Sequence, residues 1–248
     1  MTDRYAVMGN PIGHSKSPQI HALFAEQTGQ DIRYEAILVP VDGFAQAVDQ
    51  FRKQGGKGLN ITVPFKQEAW ALATQRSERA ELAGAVNTLS IKDDVLAGDN
   101  TDGIGLVRDL TGNQQISITD RRLLLLGAGG AARGVIGPLL EQSPASLTIA
   151  NRTASKAIEL AKLFHNLGDI EARGFTELAG KAFDVVINAT AAGLDNQTPD
   201  IPDNVINSDT VCYDMMYSKE PTAFVRYAKQ QGARKAVDGL GMLVEQAA

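Results

Sequence analysis

Hydrophobic positions in this chain follow two periods, and the places where one gives way to the other mark out its elements. Short apolar or β-branched runs, too brief for helices, alternate with stretches whose apolar residues recur at helical spacing. Tyr5 to Met8 and Ile32 to Val39 read as strands, and Phe44 to Gln54 reads as a helix with Ala47, Val48 and Phe51 inward and Gly55-Gly56 as its stop. Ser17 predicts an N-cap with Pro18 at the first helical position, Ile20, Leu23 and Phe24 on one face and Gly29 at the end. In Gly58 to Lys66, alternation puts Leu59, Ile61 and Val63 on one face and Asn60 and Thr62 on the other, before Pro64 opens a helix. A helical pattern fills Gln67 to Ala83. Asn87 to Lys92 and Val95 to Ala97, joined through Asp93-Asp94, predict a hairpin, and a helix runs through Ile104, Leu106, Val107 and Leu110.

Thr111 to Asp120 loses this periodicity and suits a crossing between domains. Beyond it strand and helix alternate: Leu123 to Leu126, Val135 to Gln142, Leu147 to Ala150, Ser155 to Phe164, Val185 to Asn188, Val211 to Asp214, Thr222 to Gln231. Fully apolar strands between helices predict a parallel sheet buried on both faces, so the fold class is α/β. The length of 248 residues favours two domains.

Composition removes several classes of function. The 24 basic and 29 acidic residues leave a net charge of −5 without a basic cluster, which argues against nucleic acid. No apolar run approaches the ~20 residues that span a bilayer, and Met1-Thr2-Asp3-Arg4 lacks a signal-peptide core, so a cytoplasmic protein with no membrane partner is expected. The one cysteine, Cys212, sits in a strand-like run and reads as a buried structural thiol. His14, His21 and His165 show no metal-type spacing, and no metal is expected.

The chemistry gathers at a few stretches. After Leu123 to Leu126 comes Gly127-Ala128-Gly129-Gly130-Ala131-Ala132, a strand, turn and helix in which Gly127 takes the tight turn, Gly129 lets backbone approach a pyrophosphate and Ala132 permits close packing. The helix N-terminus there favours phosphate, although a glycine turn alone also makes a plain loop. The next strand ends Asn151-Arg152-Thr153, 24 positions past Gly127, with Lys156 one turn on and no acid for ribose hydroxyls. Arg152 can stack on adenine and pair with a 2′-phosphate, and Thr153 can donate and cap, which selects NADP over NAD. Earlier, Asn60 and Thr62 lie beside Lys66, a cation at the helix end that disfavours it. A solvated surface lysine is the competing reading. Gly98-Asp99-Asn100-Thr101-Asp102-Gly103 reads either as a turn with an aspartate cap or as part of a site.

With these residues on the page, the chain closely resembles the shikimate dehydrogenases along its whole length. The resemblance rests on Gly9-Asn10-Pro11 with Ser15-Lys16-Ser17-Pro18, Asn60 to Lys66, Gly84-Ala85-Val86-Asn87-Thr88, Gly98 to Gly103, the glycine turn, Asn151-Arg152-Thr153 and Asp238-Gly239-Leu240-Gly241-Met242. It implies an N-terminal α/β substrate domain over 1–101, to which a helix over 238–248 returns, and a C-terminal Rossmann-type NADP-binding domain over 102–237. It implies NADPH-dependent interconversion of 3-dehydroshikimate and shikimate on the route to aromatic amino acids, by a monomer or homodimer acting on a small molecule. Lys66 and Asp102 would form the catalytic pair, while Ser15, Ser17, Thr62, Asn87, Tyr217 and Gln246 would line the substrate site, with Asn60 a weaker candidate. Gly127, Ala128, Gly129, Gly130, Ala131, Asn151, Arg152, Thr153, Lys156, Met215, Gly239 and Glu78 would meet the cofactor. The family continues in further helix after Leu243-Val244-Glu245-Gln246-Ala247-Ala248, where this sequence stops, and that bears on how Gln246 is anchored. Two other functions compete. A quinate or quinate/shikimate dehydrogenase often carries an acid near the ribose, which Asn151-Arg152-Thr153 lacks; a non-catalytic NADP-binding sensor would not need Lys66, Asp102 and the hydroxyls.

Overall fold

The computed structural model describes residues 2–248, Leu194 by its backbone alone. Its contacts group the chain up to Thr101, with Ala247–Ala248, as one unit and Asp102–Gln246 as a second. The first unit runs β1 (Asp3–Gly9), α1 (Ser17–Thr28), β2 (Ile32–Leu38), α2 (Phe44–Lys53), β3 (Gly56–Ile61), α3 (Lys66–Leu72), β4 (Gln75–Arg76), α4 (Glu78–Ala83), β5 (Thr88–Lys92) and β6 (Val95–Asp99). The six strands form one sheet in the order β2-β1-β3-β5-β6-β4, parallel through β2-β1-β3 and antiparallel through the β5-β6 hairpin. One face is apolar: Ala6, Met8, Leu59, Ile61 and Leu89 pack with Phe44, Val48, Phe51, Phe65 and Ala69, and the Phe44 and Phe65 rings stack at 4.9 Å. The other face follows the register row Ala36, Val7, Asn60, Thr88, Asp99, and is largely polar.

Helix α1 gives the first departure from the sequence reading. Helix α1 contacts β1 and β2 yet buries none of its residues fully, and Leu23, expected inward, is 58% exposed. Ser17 is the first helical residue rather than the cap; Lys16 holds the cap position without a side-chain bond. Val63 is 55% exposed because it lies past the last residue of β3, where the alternation no longer applies. The helical segments expected over Gln67 to Ala83 are the two helices α3 and α4, parted after Leu72. The Thr74 N–H donates to the Leu96 carbonyl at 2.9 Å, β4 pairs with β6, and Ser77 starts α4 by accepting from the Ala80 N–H at 3.2 Å.

The second unit opens with α5 (Asp102–Arg108), which continues into a π-helical turn (Asp109–Asn113). It continues with β7 (Arg122–Leu126), α6 (Gly130–Leu140), β8 (Ser146–Asn151), α7 (Ala154–Phe164), β9 (Ile170–Gly174), β10 (Val185–Asn188), β11 (Val211–Asp214), α8 (Ala223–Gln230), β12 (Lys235–Val237) and α9 (Leu240–Ala247). The strands lie in the order β12-β11-β10-β7-β8-β9, every pair parallel. This doubly wound order places a crevice between β7 and β10, where the winding reverses. Leu123, Leu125, Ile149 and Ile187 face α6 and α7, while Leu124, Leu126, Val186 and Cys212 face Phe224 and Ala228. Thr111 to Asp120 lies inside this unit instead of crossing between two, because Ile116 and Ile118 insert into its core. Among the described residues no helix is long and apolar enough to cross a membrane.

Candidate active site

At the end of β7 the chain turns at Gly127 with φ +109°, and a side chain there would stand 3.0 Å from the Ala189 carbonyl oxygen, so glycine is required. Gly129 occupies the N-cap of α6 with no side-chain cap, and nothing lies within 4 Å of where Gly129 or Gly130 would carry a Cβ. Ala128 and Ala131 flank this open space half-buried, and Ala132 is fully buried against the sheet. Unblocked backbone at a helix N-terminus in the sheet crevice is the cradle a pyrophosphate needs. At the end of β8 the Asn151 Nδ2 donates to the Thr153 carbonyl at 3.0 Å, holding a loop on which Arg152, Thr153 and Lys156 are exposed. Thr153 takes the cap position of α7, as expected, but without a side-chain cap bond. The residues present therefore fit a 2′-phosphorylated dinucleotide.

Two buried polar residues that sequence reasoning missed organise the neighbouring strand ends. Asp214 closes β11; its carboxylate accepts from Asn188 Nδ2 at 3.0 Å, the Thr222 hydroxyl at 2.5 Å and the Met216 N–H at 3.2 Å. The Thr190 hydroxyl donates to Asn188 Oδ1 at 2.7 Å. Burial pushes the Asp214 carboxyl above the ordinary range. The signal was visible as a polar residue ending each of two apolar strands. These bonds shape the loops bearing Met215 and Tyr217, both half-buried, and the Gly239 N–H donates to the Met216 carbonyl at 2.9 Å, so Met215 and Gly239 come together.

Asp102 is 2% exposed in the first turn of α5, an end that favours negative charge. Its helix is wedged between two others. A Cβ on Gly103 would lie 2.6 Å from the Gly134 carbonyl oxygen of α6, and one on Gly105 would lie 2.8 Å from the backbone nitrogen of Gln246 in α9. Asp102 and Gln246 are thus carried on helices whose backbones nearly touch.

In the first unit, the Ser17 N–H donates to Ser15 Oγ at 3.3 Å and the two hydroxyls lie 3.2 Å apart. Thr62 leaves β3 with its N–H on the Met8 carbonyl and its own carbonyl accepting from Phe65. Asn87 is buried: its Oδ1 accepts from the Thr101 N–H, and its Nδ2 donates to the Thr101 hydroxyl, each at 3.0 Å. Lys66 begins α3 half-buried, and its carbonyl accepts from the Val86 N–H at 2.8 Å, which ties it to the segment entering Asn87. Glu78 is exposed in the first turn of α4. Sequence reasoning passed over Tyr34, whose hydroxyl donates to Asn60 Oδ1 at 2.6 Å. A tyrosine on an alternating strand gave no sign of a partner two strands away.

A doubly wound sheet with a glycine cradle at its switch point, joined in one chain to an α/β unit bearing a lysine and hydroxyls, defines a two-unit dinucleotide-binding oxidoreductase. The shikimate dehydrogenase substrate binding domain matches residues 7–89, and the shikimate / quinate 5-dehydrogenase domain matches residues 109–199. Over its whole length the chain is 60% identical to shikimate dehydrogenase (NADP(+)) of Cellvibrio japonicus, covering 90% of that protein, and 58% identical to that of Alkalilimnicola ehrlichii, covering 92%. A crystal structure of shikimate 5-dehydrogenase from Thermus thermophilus with NADP(H) and shikimate is similar at a TM-score of 0.88 and 33% identity, over 100% of this chain and 91% of that one. The chain belongs to the shikimate dehydrogenase family.

Proposed function

We propose that this protein catalyses the reversible NADPH-dependent reduction of 3-dehydroshikimate to shikimate on the route to chorismate and the aromatic amino acids. The observation that carries the reading is the presence, in one chain, of a pyrophosphate cradle followed by Arg152, Thr153 and Lys156 in the second unit and of Lys66 and Asn87 in the first. Gly127 to Ala131 and Asn151 would hold the dinucleotide, Arg152, Thr153 and Lys156 its 2′-phosphate, Met215 and Gly239 its nicotinamide end, and Glu78 would approach it from the first unit. When bound, that cofactor supplies a hydride to the substrate carbonyl carbon. This chain supplies the rest: Lys66 gives a proton or a fixed positive charge to the oxygen that becomes the hydroxyl, and Asp102 accepts from a substrate hydroxyl. Ser15, Ser17, Thr62, Asn87, Tyr217 and Gln246 hold the carboxylate and ring hydroxyls. The protein acts in the cytoplasm, on a small molecule, as a monomer or homodimer.

The competing dehydrogenase takes quinate, and the sensor reading takes neither substrate to product. Steady-state assays of NADP⁺ and NAD⁺ against shikimate and quinate separate them. The highest kcat/KM is expected for shikimate with NADP⁺; a higher value for quinate rejects the assigned substrate, a higher value for NAD⁺ rejects the assigned cofactor, and NADP⁺ binding without turnover of either acid favours a sensor.

A further inference from the structure

The polar face of the first sheet carries a hydrogen-bond chain whose donors and acceptors all run one way. The Tyr34 hydroxyl donates to Asn60 Oδ1 at 2.6 Å, Asn60 Nδ2 donates to the Thr88 hydroxyl oxygen at 3.3 Å, and the Thr88 hydroxyl donates to Asn87 Oδ1 at 2.9 Å. The polarity is fixed at its far end, because the Thr101 N–H at 3.0 Å can only donate and so identifies Asn87 Oδ1 as the acceptor. Asn87 Nδ2 is thereby the donor end of the amide. At the near end Tyr34 also meets Ser17, whose hydrogen bond offsets part of the upward push that burial gives the phenol. The ring of His21 stacks on Tyr34 at 4.2 Å and 13°, and burial holds that imidazole below its ordinary range, so the stack is between uncharged rings. One phenol therefore connects the Ser15 and Ser17 pair on one side to Asn87 on the other.

We infer that Tyr34 is a positioning residue for substrate recognition, which sets the donor and acceptor ends of Asn60 and, through Thr88, steadies the Asn87 amide in the orientation that Thr101 fixes, without itself touching the substrate. The inference rests on Asn87 being in the substrate site. An amide presented the wrong way round offers a carbonyl to a group that needs a donor, and a buried mismatch of that kind weakens binding more than it slows chemistry. The chain also explains why this face of the sheet is polar beneath a helix. Its side chains are joined to each other, so α1 packs on the Tyr34 end without an apolar seam.

The test uses the full-length protein and steady-state kinetics with shikimate and NADP⁺. Tyr34→Phe removes one hydroxyl, and Thr88→Val breaks the chain at a different link while suiting a β-strand. Each should raise the KM for shikimate about fivefold, the scale of one net hydrogen bond, with kcat within about twofold and the KM for NADP⁺ unchanged. Because both act on one chain, the double variant should also lose only about fivefold, and Thr88→Ser, which keeps the hydroxyl, should retain the parent KM. Multiplying losses in the double variant, or a parent-like KM in Tyr34→Phe or in Thr88→Val, overturns the inference. Asn87→Ala separates the two levels. If it raises KM while Tyr34→Phe does not, the chain has no role and the site reading stands; if Asn87→Ala leaves KM unchanged, both fail together.

Discussion

Lys66 shows at the residue scale why position alone is informative. A cation in the first turn of a helix opposes the dipole, and this one is half-buried at the start of α3 with Glu68 in the same turn. The role proposed for it at the carbonyl oxygen would account for keeping it there. General acid and base groups contribute about 10²–10⁴-fold, and a 10³-fold loss is roughly 4 kcal/mol of barrier. Lys66→Ala is therefore expected to lower kcat by about 10³-fold while changing shikimate KM far less. A folded variant that binds NADPH and keeps kcat within severalfold would make Lys66 merely positional. Arg152 makes a cleaner contrast, since only one of the two nicotinamide cofactors carries the group assigned to it. Arg152→Ala should raise the KM for NADPH at least tenfold and leave that for NADH nearly unchanged, and equal losses would remove the assignment. Cys212 stands at the opposite extreme: burial pushes its thiol up to about 12, as befits a packing residue.

Elements were most legible where one physical signal dominated. Val185 to Asn188 and Val211 to Asp214 are strands over the very residues that their apolar runs mark, because a strand buried on both faces needs nothing but apolar length. Gly127 was legible for a similar reason, as its left-handed φ excludes other residues. Elements governed by distant partners were not. The short, half-exposed edge strands β9 and β12 lack an apolar run, and β4 exists only through β6, whereas α1 was legible as a helix ending at Gly29 and only the exposure of Leu23 was not. The close packing of α5 was equally silent, since nothing near Gly105 in sequence announces α9. It has a measurable consequence. Gly105→Ala would place a methyl 2.8 Å from the Gln246 backbone nitrogen and 2.9 Å from the Met242 carbonyl oxygen, so the helices must part. Overpacking of this kind costs about 1–3 kcal/mol, and Tm should fall by several degrees. Because Gln246 moves with α9, shikimate KM should rise as well; an unchanged Tm and KM would show that the two helices yield without cost.

For the molecule as a whole, two carboxylates of the second unit titrate in opposite senses, and stability against pH should record both. Asp184 accepts from the Arg122 guanidinium and backbone N–H at 2.8–3.2 Å, and that hydrogen bonding holds its carboxyl below the ordinary range. The folded state then binds its proton less readily than the unfolded state does, so the stabilisation is present above the unfolded pKa and is lost as pH falls through the folded one. The pair is half-exposed and contributes at most about 1 kcal/mol. Asp214 has the reverse sign. Burial raises its carboxyl above 3.8, so between that value and its higher folded pKa the folded state holds the extra proton, and stability declines as pH rises across the window. Asn at position 214 retains an acceptor for the Met216 N–H and the Asn188 amide but cannot ionise, which removes that decline whatever fixed cost the lost Thr222 bond imposes. Calorimetry between about pH 4 and pH 8 should therefore show the Tm of Asp214→Asn improving against the parent as pH rises, while that of Asp184→Asn worsens with rising pH only over a more acidic range, about pH 2 to pH 5, and then stays level. A difference for Asp214→Asn that stays constant with pH would mean that its carboxyl titrates alike in the folded and unfolded chain, and one that falls would mean that the folded chain holds it low. In the first case the polar cluster at the end of β11 would be solvated, and it could no longer be what holds the Met215 loop in shape.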